Sequence, residues 1–506
     1  MQIVHSAAAE GEAGIRPGWA PLVPPVLLAC SLAGGGAVWL RGAPLQAAGL
    51  VMDSVTTLMA ILVSGIGTAI IRYAARSMEG NPRRRSFLGW TAGTVAAGWL
   101  LAVADAAPIL VASWMAVGVG LDRMLRTFPD RPGALVTARR KFILSRVGDA
   151  LLIAAFVIAW VAWDAGGVSA AAAAAARTEA GGALTAFALL VSAAAMVKSA
   201  QVPLHGWLPE TMEAPTPVSA LMHAGIVNAG GALLVRLAPA VARVPEAWLA
   251  LSLVGTLSIL LAVPAMRAQA RAKTALAWST VAQMGFMLVQ CGLCAFPAAV
   301  LHILGHGAYK AWSFLGAGWV GRAPAAPPRP VRALTLLAAG TAAAALPMAL
   351  WAWLSGAGQR TGPGDAALLA VAAMAVGQAW VACLGRPAPS LQRGARRAVA
   401  ALAATALIPA GLIGLYAAAS LRVAPVTGPI QDPSGALAWI AAALPVCAIA
   451  ALAAWHALLP ALEARRPWRS FRVHALSGFY VAAFVGRGLD RVHALLIHRL
   501  TGAKHA

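Results

Sequence analysis

Runs of about twenty mainly apolar residues recur from residue 21 to residue 459, and that repetition restricts what the chain can fold into. A helix needs roughly 20 such residues to cross about 30 Å of hydrocarbon. Runs of this length lie near 21–40, 50–72, 86–103, 105–122, 142–163, 183–199, 214–238, 247–266, 273–294, 298–321, 332–355, 365–384, 397–420 and 434–459. Closely spaced pairs can merge, which gives about 12 to 15 spans. Lipid offers no partner to a backbone N–H or C=O, so a spanning segment is either a helix or a strand of a closed barrel, and the short alternating pattern of barrel strands is absent. With 60% of its 506 residues hydrophobic and 11% charged, the chain reads as an all-α polytopic membrane protein.

The net charge of +22 is gathered in alternate connections: Arg72, Arg76 and Arg83 to Arg85; Arg123 to Lys141; Arg267 to Lys273; Arg386 to Arg397; and Arg465 to Arg472. The positive-inside rule makes these connections cytoplasmic and places the C-terminus inside the cell inner membrane. An even number of spans would put the N-terminus there too. No aromatic-interleaved basic groove accompanies the arginines, so a nucleic-acid partner is not expected. Cys291 and Cys294 form a single CxxC with no second pair and no histidine cluster beside it, which speaks against a metal site.

The organisation expected is a polar N-terminal segment at 1–20, a transmembrane domain at 21–460 and a basic amphipathic tail at 461–506. The first twenty residues contain Glu10 and Glu12 and no apolar core, so the first span is expected to act as its own uncleaved signal. The Ala-rich stretch at 166–182 reads as a loose connection on the side opposite the basic loops. The proline-rich stretch at 321–332 reads as a cytoplasmic one. The tail, with apolar residues alternating with His and Arg, could lie in the interface or dock on a partner.

Ionisable residues within spans are costly in lipid and tend to face one another or a wet cavity. Lys198 closes the sixth run, and Pro203 and Pro209 follow it, so a broken helix is expected near 198–216 with Glu210 and Glu213 as its polar residues. Lys198 could instead snorkel to the interface. His223 lies deep in the seventh run, where a satisfied structural histidine is the plain alternative. His302, His306 and Lys310 recur at intervals of four and so share one helix face. Such a row could relay protons, and an HxxxH pair could bind metal, although neither an HExxH glutamate nor a third ligand is evident. Asp149 lies about a turn into the fifth run and Asp53 opens the second; an acid beside a buried lysine would offset its desolvation. Lys273 opens the ninth run, with Ser279, Thr280 and Gln283 beyond it to hold water. Nothing resembles a nucleophile, a phosphate loop or a cofactor motif, so no catalytic residue and no cofactor are expected in this chain.

The stretches KSAQVPLHGWLPETMEAPTPVSALMHAG, KTALAWSTVAQMGFM and HGAYKAWSFLGAG resemble the proton-translocating antiporter-like family. That family includes subunit L of bacterial NADH:quinone oxidoreductase, the large Mrp antiporter subunit and the DabB membrane subunit of inorganic-carbon pumps. The resemblance runs from about Asp53 to Gly318 and implies an antiporter-like bundle. It also implies a proton or sodium path through Lys198, His223, His302, His306 and Lys310, with Asp149 and Lys273 as further members. Two features depart from the respiratory branch: Met115 follows Trp114 where that branch has a glutamate, and the span at 332–355 holds no lysine or acid. The roughly 45 residues after 460 would reach about 70 Å as helix, short of a long lateral helix. The stretches from Leu121 to Leu152 and from Glu213 to Arg236, and the terminal HALSGFYV, resemble the DabB branch. That implies a partner similar to a zinc β-carbonic anhydrase, DabA, with the zinc in the partner. The alternative is a subunit of NADH:quinone oxidoreductase or of a Mrp-type antiporter.

Overall fold

The computed structural model describes residues 18–128, 132–317, 330–354, 362–385, 390–428, 430, 433–462 and 465–502. The N-terminal segment up to residue 17 and most of the proline-rich connection expected at 321–332 lie outside the described residues.

Helix α1 (Val23–Arg41) is joined to α2 (Ser54–Ser77) by a two-stranded hairpin, β1 (Leu45–Ala47) and β2 (Leu50–Met52), paired antiparallel with Gln46 opposite Val51. Asp53 caps α2. Its carboxylate accepts from the Val55 and Thr56 amides at 2.8 Å, while the Thr56 hydroxyl accepts from the Asp53 amide. That reciprocal pairing satisfies the free amides of a helix start and gives Asp53 a structural task.

Next come α3 (Arg84–Val103), α4 (Ala107–Leu125), α5 (Pro132–Trp163), α6 (Val168–Arg177) and α7 (Gly182–Lys198). Three short helices follow: α8 (Trp207–Glu210), α9 (Thr216–Ala224) and α10 (Ala229–Arg236). Beyond them lie α11 (Ala238–Ala242), α12 (Pro245–Ala268), α13 (Ala272–Gly292), α14 (Phe296–Leu315), α15 (Pro330–Leu354), α16 (Pro363–Leu384), α17 (Leu391–Thr427) and α18 (Gly435–Leu462). The tail forms α19 (Arg466–Leu476) and α20 (Val481–Gly502).

Among the described residues eleven helical segments are long and apolar enough to cross a membrane. Three more helices run through the bundle: α7 has 17 residues, and α13 and α14 have 21 and 20 but carry polar groups. Each of the fourteen apolar runs therefore has its helix, and the chain is an all-α polytopic membrane protein.

Three boundaries differ from the sequence reading. Helix α5 begins at residue 132 rather than 142, so Arg139, Arg140 and Lys141 stand on helix and not in a loop. The run at 214–238 is broken, with Ile226–Asn228 as a 3-10 turn between α9 and α10. The carbonyls freed there are bonded by side chains: the Ser199 hydroxyl donates to Val227 O at 2.9 Å and the Asn228 amide to Ala224 O at 2.7 Å, as membrane depth requires. The stretch at 166–182 is not a loose connection. Ala171, Ala172 and Ala175 of α6 are buried, Val168 N donates to Asp105 O at 2.8 Å, and the Arg243 guanidinium donates to Ala175 O. Small apolar side chains allow that close seating.

Helices α12 and α13 pack backbone to backbone. A Cβ at Gly255 would collide with the Gly285 carbonyl oxygen, and one at Gly285 would lie 2.7 Å from Gly255 O. Without a solvent-driven force between spans, small residues that let helices approach supply much of the attraction.

Candidate functional site

Helix α7 ends at Lys198. Ser199 and Ala200 then leave helical geometry, Ala200 taking a positive φ of 53°. The ammonium that would have lain within an unbroken helix is thereby set against α4: Lys198 Nζ donates to the main-chain carbonyl of Trp114 at 3.0 Å and sits 4.2 Å from the centre of the indole. Helix α5 supplies the rest of this pocket. Lys198, Trp114, Lys141, Ser145 and Asp149 all line one small cavity of about 20 Å³. Lys141 is 4% exposed and donates to Gly118 O at 2.6 Å. Asp149, also buried, meets Arg146 at 2.7 Å one turn back on its own helix. Both lysine charges interact with the carboxylate, so an acid–base set is assembled between α4, α5 and α7.

Lys141 is the member that the sequence reading missed, because it was counted in a solvated basic run. Its signal is spacing: Lys141, Ser145 and Asp149 recur at intervals of four and share a face. The acid beside Lys198 comes from α5. Its direct contact is Arg146, and Met115 of α4 takes no part in the cavity.

A second cluster lies on α13 and α14. Lys310, 1% exposed, donates to Leu276 O at 3.0 Å and to the Ser279 hydroxyl. His302 Nδ1 pairs with Gln290 Oε1 at 2.9 Å, and its ring centre is 5.9 Å from that of His306. Both ring nitrogens of His306 are buried without a hydrogen-bond partner. His302, His306 and Lys310 share the wall of a cavity of about 1700 Å³ with Ser279, Gln283 and Gln290. His223 is fully buried, stacks on Phe314 with ring centres 4.5 Å apart and pairs through Nδ1 with Thr280 Oγ1 at 3.0 Å. It therefore joins this second cluster through α13 and α14, while Lys198 belongs to the first.

The remaining expected members lie at the rim. Lys273 opens α13 and donates to the Thr216 hydroxyl at 2.7 Å, at the start of α9. Glu210 contacts Arg140 at 3.2 Å. Glu213 lies against α5, where its carboxylate approaches the Cα face of Gly133. The broken segment is thus held on both sides by basic helices.

Residues 107–357 match the family described as NADH:quinone oxidoreductase/Mrp antiporter, TM. This segment belongs to that family. It contains the whole of the site, from Trp114 to Lys310. The chain is similar to the "Probable inorganic carbon transporter subunit DabB" of Hydrogenovibrio crunogenus, 38% identical over 269 residues, which is 53% of this chain and 52% of that one. It is similar to the "Probable inorganic carbon transporter subunit DabB2" of Halothiobacillus neapolitanus, 38% identical over 280 residues, or 55% and 50% of the two chains. NADH-quinone oxidoreductase subunit L of Mycobacterium tuberculosis is 37% identical over 289 residues, 56% of this chain and 45% of that one. The chain spans about half the length of the curated relatives it matches. The solved Mrp complex from Dietzia sp. DQ12-45-1b shares the fold, with a TM-score of 0.53 and 24% identity over 96% of this chain and 58% of that one.

Proposed function

We propose that this chain is the ion-conducting membrane subunit of an energy-coupled inorganic-carbon uptake pump. The observation that carries the reading is the buried set of Lys141, Asp149 and Lys198 in an antiporter-family bundle similar to DabB subunits. Two ammonium groups repel each other across a cavity walled by protein, and a carboxylate attracts both, so a charge that leaves one site shifts the balance at the next. A second set of exchangeable groups, His302, His306 and Lys310, lines the large cavity. A DabA-type partner bearing zinc would carry out the hydration of carbon dioxide, and this chain would supply the downhill ion flow that drives it. The chain itself then needs no cofactor and performs no covalent chemistry. The basic helix ends, and with them the C-terminus, would face the cytoplasm.

The test is Lys198→Ala in the native host. Growth that depends on inorganic-carbon uptake should be lost at ambient carbon dioxide while the tagged subunit still co-purifies with its partner; normal growth would overturn the reading. The 37% identity to subunit L supports a second reading, a subunit of NADH:quinone oxidoreductase or of a Mrp-type cation/proton antiporter. Flavin or iron–sulfur in the purified complex, or sodium-sensitive growth of the deletion strain, would favour it.

A further inference from the structure

A second cavity begins where the Lys198 cavity ends. It has a volume of about 60 Å³ and is lined by Trp114, Leu221, Ile226, Asn228, Leu233 and Arg236 among others. Trp114 and Ile226 line both cavities, so one indole and one isoleucine side chain form the partition between them. The two cavities extend in opposite directions along α4, the second past Leu110 to Arg236 and the first past Gly118 to Leu121. Lys141 lies toward the end of α5 that adjoins Arg126. Asp105 precedes α4 at its other end, where Ala106 pairs with Gly167 beyond the far end of α5. From Trp114 to Asp105 the chain covers nine residues, about 14 Å along a helix axis.

The polar groups in this stretch are few and unusual. Asn228 is 3% exposed; its amide nitrogen is used by Ala224 O, and its Oδ1 has no hydrogen-bond partner. An orphaned buried acceptor costs about 1–3 kcal/mol, and a wet cavity removes that cost. The volume has room for about two to four waters by the usual requirement for a buried site. Arg236, 6% exposed, ends α10 with Nη2 3.6 Å from Asp105 Oδ1. Asp105 is fixed in turn by the amide and hydroxyl of Ser169 at 2.9 and 2.7 Å and is a quarter exposed at its side chain.

We propose that this second cavity is the outlet of the ion path, with Asn228 holding its water, Trp114 and Ile226 as the barrier and the Arg236–Asp105 pair as the mouth. The proposal rests on the conducting role given to Lys198 above and specifies which ion leaves and where. A desolvated cation such as sodium needs several oxygen ligands to replace its hydration shell, and the side chains here offer essentially Thr94 and Asn228 beside apolar walls. A proton needs only a short file of water. Arginine keeps its charge at any working pH, so Arg236 does not relay the proton. It is a positioning residue: its charge raises the barrier to a cation crossing the mouth in either direction, and the Asp105 carboxylate lowers that barrier enough for release.

The experiment reconstitutes the chain with its co-purifying partner in vesicles and follows proton uptake with a trapped pH dye under an imposed gradient. Asn228→Leu replaces the polar group with an apolar one of similar size and should lower the flux at least tenfold, with some loss of melting temperature because the hydrogen bond to Ala224 O goes too; Asn228→Ser, which leaves room and polarity for water, should recover part of the flux. Asp105→Asn, which keeps the side chain's shape and an oxygen to accept from Ser169, should lower flux severalfold and supplies the test if Asn228→Leu does not assemble. Wild-type flux in folded Asn228→Leu, or in Asp105→Asn, overturns the outlet. Lys198→Ala is measured alongside: if it conducts normally the conducting role itself fails, whereas loss in Lys198→Ala with normal flux in Asn228→Leu removes the outlet alone.

Discussion

Lys198 and Trp114 are joined twice, once by a hydrogen bond from the ammonium to the Trp114 carbonyl at 3.0 Å and once by the ammonium lying 4.2 Å from the indole centre. The carbonyl contact survives any substitution at 114, so side-chain variants isolate the ring. A cation over an aromatic face is worth about 0.5–2 kcal/mol. Trp114→Phe keeps a ring and should conduct within about threefold of the parent. Trp114→Ala also removes the partition between the two cavities and empties a large volume in the core, which should cost about 3–5 kcal/mol. Its vesicles should leak protons in the absence of carbon dioxide, and a tight Trp114→Ala vesicle would show that the ring is not the barrier.

Lys141 separates a path residue from its basic neighbours. It is buried and shares a cavity with Asp149 and Lys198, whereas Arg85 is exposed in another basic cluster. Lys141→Met preserves length and apolar stem while deleting the charge. It should reduce proton flux by about an order of magnitude, the scale of roughly 1.4 kcal/mol, while Arg85→Gln should leave the flux unchanged. Equal small effects from both would return Lys141 to the role of a topology signal.

The contrast between Lys141 and Arg85 also marks how far the sequence could be read. The fourteen apolar runs were legible because a helix needs about twenty apolar residues to cross lipid, and the break after Lys198 was legible because Pro203 and Pro209 cannot continue a helix. The row at His302, His306 and Lys310 followed from spacing alone. Lys141 was hidden because a basic run reads as a loop until the helix start is known, and α5 starts ten residues early. The seat of α6 was hidden as well: an alanine stretch looks featureless until Asp105 and Arg243 are brought against it. The separation of His223 from Lys198 depends on which neighbours α9 finds, which no local pattern records.

The α12–α13 interface should be sensitive to one added side chain. Gly255 and Gly285 each occupy the space that a Cβ on the other helix's glycine would need. Gly285→Ala forces the backbones apart by some tenths of an ångström, and overpacking of this kind costs about 1–3 kcal/mol. Gly255→Val should be worse. The measurement is thermal unfolding of the detergent-solubilised protein, where Gly89→Ala, at a site with nothing within 4 Å, is the control expected to match the parent.

The tail offers the prediction with a pH axis. Helix α20 lies against the broken segment and α5: a Cβ on Gly206 would fall 2.5 Å from the Ala482 methyl, and Arg140 packs over Gly486. Arg140 meets Asp490 at 2.7 Å and Glu210 at 3.2 Å, and Arg139 meets Asp490 at 3.2 Å. The hydrogen bond from the Arg140 guanidinium holds the Asp490 carboxyl below the ordinary carboxylate range. A depressed folded value means that the ion pair contributes fully above the free value of about 3.9 and is lost as pH falls through the folded one. Deuterium uptake by 481–495 should therefore be flat from about pH 5 to pH 9, once corrected for intrinsic exchange, and rise in acid. Asp490→Asn should raise uptake about two- to fivefold at neutral pH, in keeping with a partly exposed pair worth up to about 1 kcal/mol, and should abolish the acid dependence. Uptake in the parent that rises toward alkaline pH instead would mean that a group other than Asp490 holds α20 in place.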